Sequence, residues 1–381
     1  MRRDDIAPRP GWQAKVEDLG FVWHSGNGVP YWNEGACYVF RRREIGDIEE
    51  ATRRLYTMFV EAGHYVVDQG LLGRFGIPDW CHDLVREAWQ AAPPALNYGR
   101  FDLGFDGEAP PKLFEFNCDT PTSLLEAAVV QWFWKEEVFP DNDQFNSLHE
   151  ALLAKWRDIA PYLADKRVHF GRVQDHVGED QVTTAYMMDL AREAGLLPVA
   201  IAIKDIGWGL TDGDLGRFYD LDDREIRTLY KLYPWEWMVN EPFGRSLAKN
   251  GDRTRFIEPI WKMIWSNKAI LGVLWDLYPR HPNLLWARQD APIGDSYVKK
   301  PMLGREGGNV QVVRAGTAVH STEGPYTGPA IYQGLFDLPV FDGKSPVIGS
   351  WCVDGEPAGM GIREDGPVTS NLAQFVPHII E

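Results

Sequence analysis

One stretch decides the fold: YGRFDLGFDGEAPPKLFEFNCDTPTSLLE, which runs from Tyr98 to Glu126. Within it, there are two runs in which successive side chains alternate between two faces. One side consists of Tyr98, Arg100, Asp102, Leu113, Glu115 and Asn117, and the other of Phe101, Leu103, Phe105, Phe114 and Phe116. Alternation with a period of two is typical of strands that have one face in a core. Asp106-Gly107 and Pro110-Pro111 separate the runs, which predicts an antiparallel hairpin with a loose loop.

The face of this hairpin opposite Phe101 and Phe116 carries Arg100, Asp102, Glu115 and Asn117. Mg²⁺ prefers hard oxygen ligands, and a guanidinium group matches the geometry of a phosphate. The four side chains therefore indicate a site for Mg²⁺ and the phosphates that it carries. A hairpin whose polar residues merely face water explains the same pattern, so this stretch alone leaves both interpretations open.

A helix is predicted directly after the hairpin. Thr120-Pro121 offers a cap followed by proline at the first helical position, and Ser123 with Glu126 offers a capping box. The apolar stripe of this helix consists of Leu124, Leu125, Ala128, Val129, Trp132 and Phe133. The N-terminus of the helix would favour an anionic group near Asn117.

The composition is that of a globular protein and excludes several classes. The chain has 381 residues, which is enough for two or three subdomains, and 44% of them are hydrophobic. A net charge of −16 argues against nonspecific binding to nucleic acid or to an anionic membrane. The four cysteines are widely spaced without a CxxC pair, so neither a disulfide framework nor a zinc site is indicated. Because no signal segment or membrane span is visible, we expect a cytoplasmic protein.

The middle of the chain predicts a βαβ unit, with a strand at Arg167–Val173, a helix at Thr183–Gly195 and a strand at Leu197–Ile203. The turn Asp175–Asp180 lies at the carboxyl end of the first strand, where α/β units usually bind ligands. This turn is acidic and lacks GxGxxG, so it suits an amine or peptide partner, or it is a solvated turn. The aromatic segment Leu229–Trp237 either lines a pocket or packs between subdomains.

A glycine-rich loop, Pro301–Asn309, joins predicted strands at Ser296–Lys300 and Val310–Val313. It differs from a P-loop because no helix follows and GxxxxGK[ST] is absent. Its backbone amides can still cover phosphates as a mobile lid. Lys300 at the entry of the loop and Lys268 at the head of an earlier helix are candidate phosphate contacts.

Other segments complete the predicted organisation. Met1–Trp12 is expected to be an arm, and Asp47–Gln69 a helix with apolar residues at helical spacing. Ile331–Phe336 is expected to be a strand that leads to a hinge. Val347–Val353 and Gly359–Asp365 are expected to form a further hairpin.

Four motifs together resemble the synthetase domain of glutathionylspermidine synthase, in order and in spacing, over nearly the whole chain. They are FEFNCDTPT (Phe114–Thr122), NKAIL (Asn267–Leu271), KPMLGREG (Lys300–Gly307) and IRED (Ile362–Asp365). The resemblance implies an α/β (α+β) fold of the ATP-grasp type, in which a circularly rearranged element order places the metal ligands before the ATP-binding lysines. It also implies a βαβ subdomain like a pre-ATP-grasp domain.

The resemblance implies one synthetase unit over residues 1–381. Within it, we expect the ATP-grasp and metal region at residues 95–135 and 255–381, and the substrate-binding βαβ subdomain at residues 160–240.

The resemblance also implies roles for individual residues. The positions at which the family binds two Mg²⁺ ions are occupied here by Asp102, Glu115 and Asn117. Those standing at ATP contacts are Arg100, Asp102, Lys268, Lys300, Glu306 and Gly307, together with an adenine hinge of Gln333, Gly334, Leu335 and Phe336. Those standing at catalytic positions near the transferred phosphate are Arg100 and Arg363. Those standing near the glutathione site are Thr120 and Glu179.

The activity implied by the resemblance is ATP-dependent ligation of a carboxylic acid to an amine. ATP and Mg²⁺ are the implied cofactors, and the implied substrates are a small acid or glutathione-like peptide and a polyamine-like amine. Phosphorylation of the carboxylate gives an acyl phosphate, and the amine displaces its phosphate. Bifunctional members carry an N-terminal amidase domain for which this chain has no room, so we expect a stand-alone synthetase-like protein.

Two other classes of function compete with the ligase. One is an ATP-binding protein or ATPase of the same fold that no longer ligates, against which the intact set of metal ligands argues. The other is a carbohydrate-active hydrolase that uses Asp102 and Glu115 as an acid–base pair. The hydrolase would leave the Lys300 loop without a role.

Overall fold

The computed structural model describes residues 1–26, 29–173, 178–210, 215–251, 253–370 and 372–381. The strands are β1 (Arg2–Asp5), β2 (Ser25–Gly26), β3 (Val29–Pro30), β4 (Ala36–Phe40), β5 (Tyr98–Gly104), β6 (Lys112–Asn117), β7 (Arg167–Arg172), β8 (Leu197–Ala202), β9 (Gly207–Leu210), β10 (Gly216–Tyr219), β11 (Thr228–Leu232), β12 (Arg255–Ile257), β13 (Ala287–Arg288), β14 (Tyr297–Pro301), β15 (Gln311–Arg314), β16 (Thr317–Ser321), β17 (Ala330–Gly334), β18 (Ser345–Val353), β19 (Glu356–Asp365), β20 (Gln374–Val376) and β21 (His378–Ile380). The helices are α1 (Trp12–Asp18), α2 (Arg42–Asp68), α3 (His82–Ala91), α4 (Gln131–Val138), α5 (Leu148–Ile159), α6 (Glu179–Glu193), α7 (Trp235–Met238), α8 (Leu247–Asn250), α9 (Lys262–Trp265) and α10 (Ile270–Leu277).

The predicted hairpin is confirmed as β5 and β6, which pair antiparallel with Arg100 opposite Asn117 and Asp102 opposite Glu115. It lies at one end of a five-stranded sheet in the order β20-β19-β18-β5-β6. Strands β18 and β19 are the predicted C-terminal hairpin, and β18 pairs antiparallel with β5. The expectation of a half-exposed strand is wrong for β5, because all seven of its residues are buried. As an inner strand, β5 has neighbours on both edges, and ion pairs cover its polar face.

The glycine-rich loop belongs to a second sheet, which is antiparallel in the order β13-β17-β14-β15-β16. The loop connects β14 to β15, as predicted from the two flanking runs. Strand β17 is the predicted strand before the hinge, and it pairs with β14 so that Ile331 lies opposite Lys300. The loop and the hinge therefore leave neighbouring strands of one sheet.

The predicted βαβ unit is confirmed by β7, α6 and β8. They belong to a four-stranded sheet in the order β12-β11-β7-β8, in which every neighbouring pair is parallel. Helix α6 begins at Glu179, four residues before the predicted start, and the chain turns after it at Gly195, whose φ is +84°. Residues 175–177 of the predicted acidic turn lie outside the described residues.

Helix α2 confirms the predicted long helix, although it begins five residues earlier than expected. It packs on α10, α9, β18 and β19, and its side chains Ile48, Leu55 and Phe59 are fully buried. The expected N-terminal arm is wrong, because β1 pairs with β4 in a three-stranded sheet in the order β1-β4-β21. Among the described residues, no helix combines the length and the apolar character needed to span a membrane.

The helix after the hairpin differs from the prediction. Helical structure begins only at Leu124, and Ser123 has a φ of +66°, which is outside the helical region. The first part is a π-helical turn at Glu126–Val130, which leads into α4. The predicted capping box does not form between Ser123 and Glu126, and the Glu126 carboxylate instead accepts a hydrogen bond from the Tyr31 hydroxyl at 2.9 Å. Trp132 and Phe133, predicted to lie on the apolar stripe, are exposed.

Candidate active site

A cavity of about 280 Å³ opens between the hairpin sheet and the glycine-rich loop. The cavity is lined by every residue that the sequence analysis assigned to a metal, a nucleotide or catalysis. These residues are Arg100, Asp102, Glu115, Asn117, Lys268, Lys300, Glu306, Gly307, Gln333, Gly334, Leu335, Phe336 and Arg363. The substrate candidate Thr120 also lines it, whereas Glu179 stands beside it. The hairpin and the segment that carries the glycine-rich loop therefore face one common cavity.

Two carboxylates stand side by side on the floor of the cavity. The register of β5 and β6 places Asp102 directly opposite Glu115. Like charges at such cross-strand positions repel each other, so this arrangement requires cations nearby. The Asn117 amide donates to Asp102 Oδ2 at 3.2 Å and to Glu115 Oε1 at 3.3 Å.

Two arginines neutralise Asp102. Arg100 donates from Nε to Oδ1 at 2.7 Å and from Nη2 to Oδ2 at 3.2 Å, while Arg363 donates to Oδ2 at 3.0 Å. Arg100 also donates to the Thr122 carbonyl at 2.7 Å. Burial disfavours the charge on Arg100, but Asp102 and Glu115 outweigh it and raise the pKa of the guanidinium. A permanent, oriented positive charge therefore borders the cavity.

Two lysines neutralise Glu115. Lys268 Nζ lies 2.8 Å from Glu115 Oε2, and it also donates to the Gly304 carbonyl at 2.7 Å. Lys300 Nζ donates to the Phe114 carbonyl at 2.8 Å, across 186 residues of sequence. Burial would raise the pKa of the Glu115 carboxyl, but Lys268 and Lys300 outweigh it, so that this pKa lies well below its ordinary value.

Lys300 is only 8% exposed, and this burial governs its titration. Burial lowers the pKa of the Lys300 ammonium to about 8, although Glu115 opposes the change. A buried cation at this position gains most from a further negative group in the cavity.

The hinge after β17 closes one end of the cavity. The Gln333 side chain donates to the Leu113 carbonyl at 2.9 Å, which ties β17 to the hairpin. The Gly334 amide donates to the Trp286 carbonyl at 2.8 Å. A Cβ atom at Gly334 would lie 2.7 Å from Trp286 Nε1, so only glycine fits there. Leu335 and Phe336 continue the wall.

The glycine-rich loop covers the opposite end. Gly307 has a φ of +65°, and a Cβ atom there would lie 2.4 Å from the Thr369 carbonyl oxygen. Arg305 holds the loop down, because it donates to Glu236 Oε1 at 2.6 Å and to Thr120 Oγ1 at 3.1 Å. Burial opposes the charge on Arg305, but Glu236 outweighs it and raises its pKa.

Arg305 is a site residue that the sequence patterns did not indicate. Its position between glycines in GREGG was the available signal, since a charged side chain in a glycine-rich loop needs a partner elsewhere. That partner lies on α7, in the aromatic segment. For this segment the sequence left two interpretations open, a pocket wall and packing between subdomains. Within it, Trp235 is buried and donates to the Glu258 carbonyl at 2.9 Å, whereas Trp237 is 46% exposed.

Glu179 lies where the βαβ unit reaches the site. As the first residue of α6, it is half-buried and hydrogen-bonded to Thr122. Burial raises the pKa of its carboxyl, and the charges of Arg363, Glu306 and Arg100 all act on it. The charges of Arg363 and Arg100 oppose this effect of burial.

Glu126 and Tyr31 form a further group that the sequence patterns did not indicate as functional. Glu126 is fully buried. Burial and the neighbouring charge of Glu179 raise the pKa of the Glu126 carboxyl to about 7. The sequence analysis assigned this residue to a capping box, because the sequence does not show that Tyr31 lies beside it.

This raised pKa predicts a pH-dependent gain in stability for Glu126→Gln. The folded-state pKa of about 7 lies above the ordinary value of 4.5, so folding is penalised above pH 7 and the penalty disappears as the pH falls towards 4.5. We expect the variant to raise the free energy of unfolding by on the order of 2 kcal/mol at pH 8, and by little at pH 5. Urea titrations at both pH values measure this, and an equal change at both would contradict it.

Comparison with known proteins shows which family the sequence matches. Residues 3–381 match the model of a family described as "Glutathionylspermidine synthase preATP-grasp". A protein of Haemophilus influenzae named "Putative acid--amine ligase" is 39% identical over 388 aligned residues, which cover 97% of each chain.

A second relative is longer than this chain. The trypanothione synthetase of Crithidia fasciculata is 29% identical over 350 residues, which cover 84% of this chain and 52% of that protein. The chain therefore matches about half the length of this relative.

A solved structure shares the fold. The glutathione synthetase-like effector GSS30 of Globodera pallida, in its apo form, superposes with a TM-score of 0.56 over 99% of this chain and 100% of that one. At 9% identity, this likeness concerns the fold alone, and it confirms the predicted mixed α/β fold of the ATP-grasp type.

Proposed function

The chain belongs to the glutathionylspermidine synthase preATP-grasp family, and on that basis we propose that it is an ATP-dependent carboxylate–amine ligase. It joins an acid to an amine through an acyl phosphate. The observation that carries this proposal is the single cavity in which the carboxylates of β5 and β6 meet the two lysines beneath a glycine-rich loop. Such a cavity combines the groups that phosphoryl transfer requires, which are metal ligands, fixed cations and a cover.

Asp102, Glu115 and Asn117 would hold Mg²⁺. Two carboxylates stand at directly opposite positions, and hard oxygen donors suit Mg²⁺. Within the described ranges, no group of three or more His, Cys, Asp or Glu side chains could hold a metal ion. A metal here would therefore rely on two carboxylates, the Asn117 carboxamide turned to present its oxygen, and the phosphates of the nucleotide. When bound, Mg²⁺ supplies charge neutralisation between those phosphates.

Arg100, Arg363, Lys268 and Lys300 would bind the phosphates of ATP. All four lie on the cavity wall, and each is now bonded to a carboxylate or a carbonyl group. Their fixed positions allow them to stabilise the charge that develops on the transferred phosphoryl group without reorganisation. Arg100 and Arg363, which share Asp102, are the residues that we assign to the phosphoryl group itself.

The hinge Gln333–Phe336 would hold the adenine. The Gly334 amide already donates to the Trp286 carbonyl, so the backbone contacts with the base fall to Leu335 and Phe336. Val298 and Val312 of the second sheet provide an apolar wall beside them.

The loop Gly304–Gly308 would exclude water from the acyl phosphate, which water otherwise hydrolyses. All five residues of the loop line the cavity, and the Arg305–Glu236 ion pair fixes the loop over it. Arg305 also donates to Thr120 Oγ1, so the loop completes the cavity wall next to Thr120.

The substrates follow from the relatives and from the charges of the site. The names of the family and of its trypanothione-forming relative point to a glutathione-like acid and a polyamine-like amine. Thr120 accepts a hydrogen bond from Arg305, and the charge of Arg363 acts on Glu179. We assign both to the acid and amine sites.

ADP release should depend on both substrates. The full chain with ATP and Mg²⁺ is incubated with a panel of acids and amines that includes glutathione and spermidine. Because the amine must displace the phosphate before another turnover, we expect at least about a tenfold rise in ADP release when the correct pair is present, compared with either member alone. ADP release that no acid or amine changes would favour the alternative, a non-ligating ATPase of the same fold.

A further inference from the structure

Three residues of the glycine-rich loop have a left-handed backbone. The φ angles are +54° at Glu306, +65° at Gly307 and +57° at Asn309. Two of these residues carry a Cβ atom, for which this region is unfavourable, so the conformation persists only where neighbouring contacts hold it. Glu306 and Gly307 line the cavity. The contacts that hold the loop in this conformation therefore set the shape of the cavity wall.

Thr322, which directly follows β16, supplies such contacts. Its hydroxyl donates to the Gly307 carbonyl at 2.5 Å and accepts from the Val310 amide at 2.8 Å. Its own amide donates to the Val310 carbonyl at 2.9 Å. Thr322 is half-buried and is not among the residues that line the cavity. One side chain outside the cavity thus bonds both the left-handed part of the loop and the residue that follows the loop.

The next residues of the β16–β17 connection lie against the same loop. The Tyr326 amide donates to Asn309 Oδ1 at 2.8 Å. A Cβ atom at Gly324 would lie 2.8 Å from the Gly308 Cα, and one at Gly308 would lie 3.0 Å from the Tyr326 ring. So close an approach requires glycine on both sides. The segment 322–326 therefore packs along the second half of the loop.

The loop is attached in two different ways. Thr322 lies between β16 and β17, which belong to the same sheet as the two strands that the loop joins. Arg305 instead bonds to Glu236 on α7 and to Thr120 after β6, which lie outside that sheet. Lifting of the loop from the cavity breaks the Arg305 contacts but leaves the Thr322 contacts intact. Arg305 therefore decides where the loop lies, and Thr322 decides its shape.

We propose that Thr322 is a positioning residue for phosphoryl transfer, because its hydroxyl holds the glycine-rich loop in the shape that covers the phosphates of ATP before the nucleotide binds. This inference rests on the proposed ligase function and goes beyond it. It assigns the preorganisation of the loop to a residue that acts through Gly307 and does not itself line the nucleotide cavity.

Preorganisation of this kind affects some ligands and not others. When only a fraction of the molecules has the binding shape, the apparent dissociation constant rises in inverse proportion to that fraction. The loop covers the phosphates, whereas the base would lie at the hinge at the other end of the cavity. Loss of the Thr322 hydroxyl should therefore weaken the binding of a nucleoside triphosphate and spare that of AMP, which lacks the outer phosphates.

Thr322→Val keeps the volume of the side chain but removes both hydrogen bonds of the hydroxyl. Calorimetric titration with Mg²⁺ and AMPPNP, a non-hydrolysable analogue of ATP, should give a dissociation constant about tenfold above that of the wild type. The dissociation constant of AMP should change by less than about twofold. In steady-state kinetics the KM for ATP should rise by a similar factor while kcat changes by less than about threefold. Thr322→Ser, which keeps the hydroxyl, should restore the affinity for AMPPNP.

Limited proteolysis gives a second measurement that needs no turnover. Trypsin cleaves after arginine, and Arg305 lies in the loop directly before Glu306. Without nucleotide, we expect cleavage after Arg305 to be about tenfold faster in Thr322→Val than in the wild type, as measured by mass spectrometry of the fragments. Gly324→Ala places a Cβ atom against Gly308 and pushes the segment 322–326 away from the loop. It should have the same effects, and it serves if Thr322→Val fails to fold.

The matched control is Thr327→Val, because Thr327 is an exposed threonine of the same connection. It should leave affinity and cleavage unchanged. Equal weakening of AMP and AMPPNP, absence of rescue by Thr322→Ser, an unchanged rate of cleavage, or the same effects in Thr327→Val would each overturn the assignment. Absence of amine-dependent ADP release by the wild type would instead overturn the ligase, and the AMPPNP and trypsin measurements would still test the role of Thr322.

Discussion

Replacing Glu115 with alanine is expected to lower ADP release by about 10³-fold while the protein remains folded. Glu115 lies opposite Asp102 in the β5–β6 register and 2.8 Å from Lys268. Its removal takes away one of the two carboxylates on which a metal would rely, and it leaves Lys268 and Lys300 without their anionic neighbour. The side chain is 26% exposed, so its loss opens no cavity in the core.

Two further variants separate charge from packing at this position. Glu115→Gln keeps the volume of the side chain but removes the charge, and it should lose nearly as much activity as alanine. Glu108→Ala, in the exposed hairpin loop, should retain wild-type ADP release. Thermal unfolding checks that each variant is folded. Wild-type ADP release by folded Glu115→Ala would remove this residue from the metal site.

Replacing Lys300 with methionine is expected to reduce kcat/KM for ATP by about 10²-fold or more. Lys300 is buried at the entry of the glycine-rich loop, where it donates to the Phe114 carbonyl beside Glu115. Its pKa of about 8 means that most molecules carry the charge at pH 7. Bound phosphates should favour the charged form further, so the loss of this cation weakens both nucleotide binding and phosphoryl transfer.

The chain provides a matched control in the neighbouring residue. Lys299 lies on the same strand but points to the other side, where it is exposed and its Nζ lies 5.7 Å from the centre of the Tyr332 ring. Lys299→Met removes the same charge one residue away and should change kcat/KM by less than about twofold. Steady-state kinetics with varied ATP measures both variants. Equal losses in the two would show that Lys300 acts only through the overall charge.

Local patterns predicted most of the elements that build the site. Alternation over β5 and β6 predicted the hairpin, and it placed Asp102 and Glu115 on one face. Glycines at positions that need a positive φ, such as Gly307, marked the loop. The helix after Asn117 begins later than predicted, because the backbone at Ser123 has a φ of +66° and so lies outside the helical region.

The proximity of Lys300 to the hairpin was predicted only through the resemblance to a family, since periodicity cannot join positions 186 residues apart. The same limit explains why the sequence patterns did not indicate Arg305. Its partner Glu236 lies 69 residues earlier, on a segment whose aromatic residues favoured packing and a pocket wall equally.

The sequence by itself determined which strands and helices form and which chemical groups each of them carries, because alternation, glycine conformation and charge act over a few residues. Only the tertiary structure decided that β18 would bury the polar strand β5, that Arg305 would fasten the loop, and that Glu126 would be buried beside Tyr31. These outcomes depend on contacts between distant segments. Their free energies come from desolvation and charge pairing at places that exist only after the sheets have packed together.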